Sequence, residues 1–362
     1  MTSFPNMKQR IYILLALAAV LACTKTEVAY DDAQNAEIMI SPVPGNITKA
    51  AISDGVYPES NHIALFAYHA PLFKAGAVTS TDYARFNDTY LYDAEYHYTG
   101  TPQSTRIWSG LVSSYYWPIT GSLVFAGYSL PAPETPGTSS KPIGTEVNYT
   151  LTTDKLEIKG YTQSSEIDKT FDLLYFGRTS TSYNNRRDGV SVPLTFNHAL
   201  SWITIQIKGG DGALVDGRVW SVTEVTLKDV QTKGDFTYLG TAEPPTPKVS
   251  WELEDDDSDM SVYGPSSKPL SNAFETFEKN PAGLVVIPQA AKKLEVKIRY
   301  KSPAGDTIDE IVEVDLSKYT TNWEAGKKYT YQLTFDPEKI LVNPTVSAWP
   351  NPGEVYTPSE IE

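Results

Sequence analysis

Four histidines, one cysteine and 44 acidic residues are the side chains of this 362-residue chain best suited to chemistry. A zinc centre draws its ligands from His and Cys. His62, His69, His97 and His198 include no pair at the His-x₃-His spacing that brings two imidazoles to one metal, so neither a metal nor another cofactor is expected. The acidic run EDDDSDM, Glu254 to Met260, has the oxygen density of a calcium loop without its central glycine and closing glutamate. It reads as a solvated hairpin tip. His198, in LTFNHALSWITI, sits among apolar neighbours at a strand end with no companion motif, and reads as a hydrogen-bonded structural histidine. No Gly-x-Ser-x-Gly elbow, P-loop or dinucleotide fingerprint occurs. Carboxylates for glycoside hydrolysis need only meet in space, so 44 candidates single out no pair. The chain does not read as an enzyme.

The single cysteine has a different chemistry. Lys8 and Arg10 precede an apolar run from Ile11 to Ala22, and Val20-Leu21-Ala22-Cys23 follows with a small residue before the thiol. This is the grammar of a secretory signal, and the run is shorter than the roughly 20 residues that cross a hydrocarbon core. The ending resembles a bacterial lipobox, which implies a signal peptide over 1–22 and a lipid on Cys23. Beyond Cys23 no cysteine remains, so no disulfide can staple the exported chain and it must fold by burying apolar surface.

The elements that would carry such a chain are strands. HIALFAY, SLVFAGY, KLEIKGY, WITIQIK, KLEVKIRY and KKYTYQLTF alternate with period two and are rich in β-branched and aromatic residues. Turn residues bound them, and no window keeps a helical period for long. An all-β fold of antiparallel sandwiches is expected. The length suits two domains, and the irregular stretch Gly177 to Gly189 near the middle offers the boundary. The expected division is 1–22 signal, 23–49 tether and first strand, 50–188 first sandwich, and 189–362 second sandwich.

The formal charge of −14 becomes −16 once Lys8 and Arg10 leave with the signal, which argues against nucleic acid as a partner. Trp117, Trp202, Trp220, Trp251 and Trp349 lie in strand patterns, where core filling is their expected role.

Several stretches together resemble the fimbrillin-like lipoproteins of Bacteroidales, subunits of type V pili. These are YYWPITGSLVFAGYSLP (Tyr115 to Pro131), FDLLYFGRT followed by VSVPLTFNHALSWITIQI, and WEAGKKYTYQLTF followed by ILVNPTVSAW. The resemblance implies two transthyretin-like β-sandwich domains in tandem. It also implies a lipidated precursor at the outer membrane, a trypsin-like protease that removes the first strand, and assembly with other fimbrial subunits by strand exchange. The parts are present. AEIMISPV (Ala36 to Val43) is a strand candidate, and Lys49 is the only Lys or Arg between Lys25 and Lys74. Cleavage between Lys49 and Ala50 is therefore expected. Val342, Pro344, Val346 and Ala348 share one face of a C-terminal strand and are the expected donor. Pro344 suits an edge or exchanged strand.

Two functions compete at this point. One is a structural subunit of a surface fimbria that supports adhesion. The alternative is a monomeric outer-membrane lipoprotein that binds glycans through exposed aromatics.

Overall fold

The computed structural model describes residues 36–42, 57, 59–99, 108–184, 191–215, 218–240, 248–279, 284–302, 304–337 and 339–349. Nearly all the regular structure among them is β, as expected, with one short α-helix at Asp211–Val215 and three single-turn 3-10 helices. In chain order the first strands are β1 (Met39–Pro42), β2 (His62–Ala70), β3 (Gly76–Ala77), β4 (Asp88–Tyr98), β5 (Trp108–Gly110), β6 (Ser122–Leu130), β7 (Glu146–Thr150) and β8 (Lys155–Thr162). Next come β9 (Leu174–Phe176), β10 (Thr181–Ser182), β11 (Ser191–Leu194), β12 (Asn197–His198), β13 (Ser201–Gly209), β14 (Ser221–Gln231), β15 (Lys233–Leu239) and β16 (Lys248–Leu253). The last are β17 (Asp257–Tyr263), β18 (Lys268–Pro269), β19 (Glu275–Thr276), β20 (Leu284–Val286), β21 (Lys293–Lys301), β22 (Thr307–Asp315), β23 (Lys327–Asp336) and β24 (Lys339–Ala348).

The largest sheet runs β11-β1-β5-β4-β2-β6-β9-β12. Its two ends, β11 and β12, are separated in sequence only by Thr195 and Phe196. Two strands that close in sequence cannot stand at opposite edges of an open sheet, so the sheet is rolled. Inside the roll, Ile38, Ile40, Ile63, Leu65, Phe125 and Val192 form one core. On the outer face, Ala64, Phe66, Val124, Ala126 and Tyr128 form a second core with the small sheet β16-β15-β8-β7. β6 therefore lies between two cores, and all nine of its residues are buried. Burial on both faces explains why SLVFAGYSL is nearly continuous in apolar residues rather than cleanly alternating. Gly127 within it is required by space, since a Cβ there would stand 2.4 Å from the Ala64 carbonyl oxygen.

β3 and β10 pair as a small two-stranded sheet, and the remaining strands form a sandwich. One sheet runs β19-β13-β23-β24 with β20 also on β13, and the other runs β17-β14-β21-β22 with β18 on β14. Alternation is clean here: Ile203, Ile205 and Ile207 of β13 enter the core, while Trp202, Thr204 and Gln206 face the other way. β13 pairs with β23 in parallel over Trp202↔Lys328 to Gly209↔Phe335, and β1 pairs with β11 in parallel. The expected sandwiches of antiparallel sheet thus include two parallel ladders.

The hairpin β15–β16 joins β8 by Phe236↔Ile158 and Tyr238↔Leu156, although it follows the expected boundary at 188/189. The core it covers also receives Val285, Ile287 and Trp349 from the C-terminal half.

The run Glu254 to Met260 departs from its expected role. It joins β16 of the small sheet to β17 of the sandwich, so it is a crossover between sheets, not a hairpin tip. Its charges are spread over Lys233–Asp256 at 2.6 Å and a Lys228–Asp259 pair. An alternating apolar pattern on both sides of a turn does not specify that the two strands pair with each other.

Candidate functional site

The first strand, as seated, fills a slot. Ala36, Ile38, Ile40 and Pro42 are buried and alternate with partly exposed Glu37, Met39 and Ser41, so one face enters the rolled core. Backbone partners lie on both sides. The Ile38 N–H donates to the Tyr115 carbonyl at 2.6 Å, and the Trp117 N–H donates to the Ala36 carbonyl at 2.9 Å. Further along, Ile40 stands opposite Trp108 of β5, and Met39 to Pro42 run parallel to Ser191 to Leu194 of β11. Each buried isoleucine contributes about 2 kcal/mol by removal of apolar surface from water.

The slot is dry and aromatic. The Tyr57 ring meets Trp108 edge-on at 5.0 Å and Phe196 at 5.3 Å, and its hydroxyl donates to the His62 carbonyl at 2.6 Å. Burial pushes the Tyr57 and Tyr96 phenols well above their ordinary range. Strand 36–42 is thus an element with its own alternating apolar face, bonded on both edges and joined to Tyr57 by residues 43–56.

At the other end of the chain, β24 is an edge strand. It pairs antiparallel with β23 from Lys327↔Ala348 to Asp336↔Lys339 and, among the described residues, has no second neighbour in its sheet. Ile340 and Val342 pack on the sandwich core, Pro344 stands opposite Tyr331, and Val346, opposite Tyr329, is 50% exposed. Ala348 is exposed as well. From Ile340 to Trp349 the segment carries no charge. Natural edges are usually blunted by charge, and β22, the edge of the facing sheet, carries Asp309, Glu310, Glu313 and Asp315.

Beyond β24 the chain is fastened in the core shared by the rolled sheet and the small sheet. The Trp349 ring stacks on His198 with centroids 3.8 Å apart and planes at 15°. His198 is buried, and its Nδ1 lies 3.0 Å from Asp172 Oδ2. The histidine is structural, as its surroundings predicted, and its ring partner Trp349 was not foreseeable from local pattern. Nearby, Lys328 Nζ stands 3.5 Å above the Trp202 ring, and burial lowers its pKa.

The expected donor residues Val342, Pro344, Val346 and Ala348 therefore lie together on one strand. Cys23, Lys49 and Ala50 lie outside the described residues. Trp117, Trp220 and Trp349 are buried, while Trp202 and Trp251 are half-buried against the core beneath the small sheet. The core tryptophans Trp108 and Trp323 were not singled out by pattern. Among the described residues no group of three His, Cys, Asp or Glu is placed to hold a metal ion.

A rolled sheet with a seated leading strand is followed by a sandwich whose edge strand is uncharged from Ile340 onward. The chain belongs to the fimbrillin-like family, whose model matches residues 48–349. It is therefore a fimbrial subunit of the cell surface. A fimbrial protein from Bacteroides vulgatus has the same fold at 18% identity and a TM-score of 0.52, over 79% of this chain and 92% of that one. A Bacteroides uniformis protein proposed to act in cell adhesion aligns at 14% identity and a TM-score of 0.47, over 86% and 98% of the two chains. The tip fimbrial protein of Porphyromonas gingivalis aligns at 8% identity and a TM-score of 0.34, over 87% and 100%. No curated protein matches the sequence.

Proposed function

We propose that this protein is a building subunit of a surface fimbria, exported as an outer-membrane lipoprotein through Cys23 and assembled by strand exchange. A trypsin-like protease cuts between Lys49 and Ala50. The strand 36–42 then leaves its slot, and a strand from another subunit takes its place. In this reading the chain forms two domains, with 50–188 and 189–362 supplying most of the first and second, and hairpin β15–β16 shared across the border.

The observation that carries this reading is the seating of residues 36–42. They form a strand bonded on both edges, with Ala36, Ile38 and Ile40 buried in the rolled core. The family match begins at residue 48, beside the expected cut and downstream of that strand. An emptied slot of this kind presents unpaired backbone groups and alternate side-chain pockets, the two requirements of β-augmentation. β24 has the matching character: ten residues, alternating, uncharged from Ile340 onward, and already an edge.

The test is assembly after brief exposure to a trypsin-like protease. The unaltered subunit gives SDS-resistant ladders. Lys49→Ala keeps the first strand in place and gives none. Val346→Asp folds, because Val346 is half exposed in the free subunit, but a carboxylate forced into an apolar pocket meets a desolvation cost on the order of several kcal/mol. Ladders from either variant would overturn strand exchange as described. A cut subunit that stays monomeric would favour the glycan-binding alternative.

A further inference from the structure

The segment Ser191–His198 touches both mobile candidates of this reading. Its first half, β11, lies parallel to β1 from Met39↔Ser191 to Pro42↔Leu194, with Val192 and Leu194 in the same rolled core as Ile38 and Ile40. Its second half, β12, pairs with β9 through His198↔Leu174 and ends on the imidazole that carries Trp349. Only Thr195 and Phe196 lie between. Phe196 is itself wedged in the core, 5.0 Å from Phe176 and 5.3 Å from Tyr57.

Trp349 is placed unusually for the residue after an edge strand. β24 covers the sandwich core, yet the Trp349 ring is buried in the other core, beneath the rolled sheet. Its N–H donates to the Gly326 carbonyl at 2.8 Å, and Trp202 lies 5.6 Å away. Asp172 holds the same imidazole at its edge, with Oδ2 3.0 Å from Nδ1. The C-terminal strand is therefore fixed at its far end by a ring stack whose platform is continuous with the neighbour of β1.

We propose that Ser191–His198 couples the two strands: while β1 is seated, it holds His198 under Trp349 and keeps β24 docked, and loss of β1 loosens the stack and frees β24. Removing β1 takes away the parallel ladder of β11 and the packing against Val192 and Leu194. The two residues that connect β11 to β12, which ends on His198, leave little slack to absorb a shift. The inference rests on the strand-exchange reading for its use, since it would keep the donor strand docked until the leading strand has gone. The coupling itself exists in the uncut chain and is measured there, so failure of cleavage and failure of coupling are separate results.

The measurement is amide hydrogen exchange on the full, uncut chain. Ile40→Ala opens a cavity beside β11, and Leu91→Ala opens one in the same core on β4, which pairs with β2 and β5 and not with β11. Exchange in residues 340–348 is expected to rise about tenfold in Ile40→Ala and to stay within about twofold of the unaltered protein in Leu91→Ala. Coupling between sites is reciprocal, so Trp349→Ala is expected to speed exchange in residues 39–42. β14 and β21, in the far sheet of the sandwich, should keep their rates in all three. If Ile40→Ala does not fold, Ile40→Val gives the same comparison with a smaller rise. Faster exchange confined to β1 and β11, a rise of equal size in Leu91→Ala, or a uniform rise that includes β14 and β21 would each overturn the coupling.

Discussion

The Tyr238 hydroxyl donates to Asp154 Oδ2 at 3.0 Å, joining the turn after β7 to a strand 84 residues later. The other carboxylate oxygen accepts the Tyr149 hydroxyl at 2.7 Å and the Arg178 N–H at 2.7 Å. A buried carboxylate with three donors is a fixed point, and this one ties the crossing hairpin to the core beneath the small sheet. Asp154 also holds a left-handed backbone, φ 49°, which Asp and Asn tolerate better than Ala. Asp154→Ala is expected to lower stability by about 3 kcal/mol, and Tyr238→Phe by about 1 kcal/mol. Asp154→Asn should fall between them. Urea unfolding reads all three, and an Asp154→Ala midpoint unchanged from the native one would refute the assignment.

Stability should also be sensitive to one face of the leading strand. Ile38→Val is expected to cost about 1 kcal/mol, and Ile38→Asp more than about 3 kcal/mol, because the charge would enter the rolled core. Met39→Asp, on the outward face, should cost under about 1 kcal/mol. Equal effects at Ile38 and Met39 in thermal melts would mean that the strand is not seated as described.

Glu278 gives a pH signature. Burial pushes its carboxyl up to about 7, with backbone Ile205, Lys328 and Thr204 opposing the shift, and its Oε1 has no hydrogen-bond partner. A folded-state pKa above the unfolded one means that the folded protein binds the proton more tightly. The stability from this group is full below the ordinary carboxyl value of 4.5 and is lost as pH rises through about 7. Glu278→Gln removes that loss. Its stability relative to the native protein should therefore gain about 3 kcal/mol between pH 4.5 and pH 8. Paired urea titrations at the two pH values check the sign, and a difference independent of pH would contradict it.

Cys23→Ser is expected to abolish incorporation of a radiolabelled fatty acid and to leave the precursor off the outer membrane. Since Cys23 is the only cysteine, reductant should leave the melting temperature of the native chain unchanged. Undiminished labelling of the variant would remove lipid attachment from the proposal.

The strands themselves were legible because a half-buried strand must alternate, as β15 does from Lys233 to Leu239. Strand partners were not. Nothing in AEIMISPV states that it will lie parallel to a strand some 150 residues later, or that WITIQIK will pair in parallel with KKYTYQLTF. Those choices are made by closure of the whole sheet. The same reason hid the Trp349–His198 stack: the tryptophan follows a strand of one core and is buried in another. The crossover at Glu254 to Met260 failed locally for a related reason, since an acidic turn is equally suited to a hairpin and to a passage between sheets. That Val342, Pro344, Val346 and Ala348 lie together on one strand was visible early, as it required only period two.

The slot for residues 36–42 and the edge of β24 are different surfaces of one chain, and this has a consequence in symmetry. If a second copy fills the slot with its own edge strand, each molecule uses one surface as host and the other as guest. Such a contact is heterologous: two copies joined by it still expose one empty slot and one free strand. Repetition produces an open array whose two ends are chemically distinct, one terminated by a vacant slot and the other by an unused strand. Growth and capping would then act at different ends, and a partner that offers only a strand, or only a slot, would stop the array at one of them.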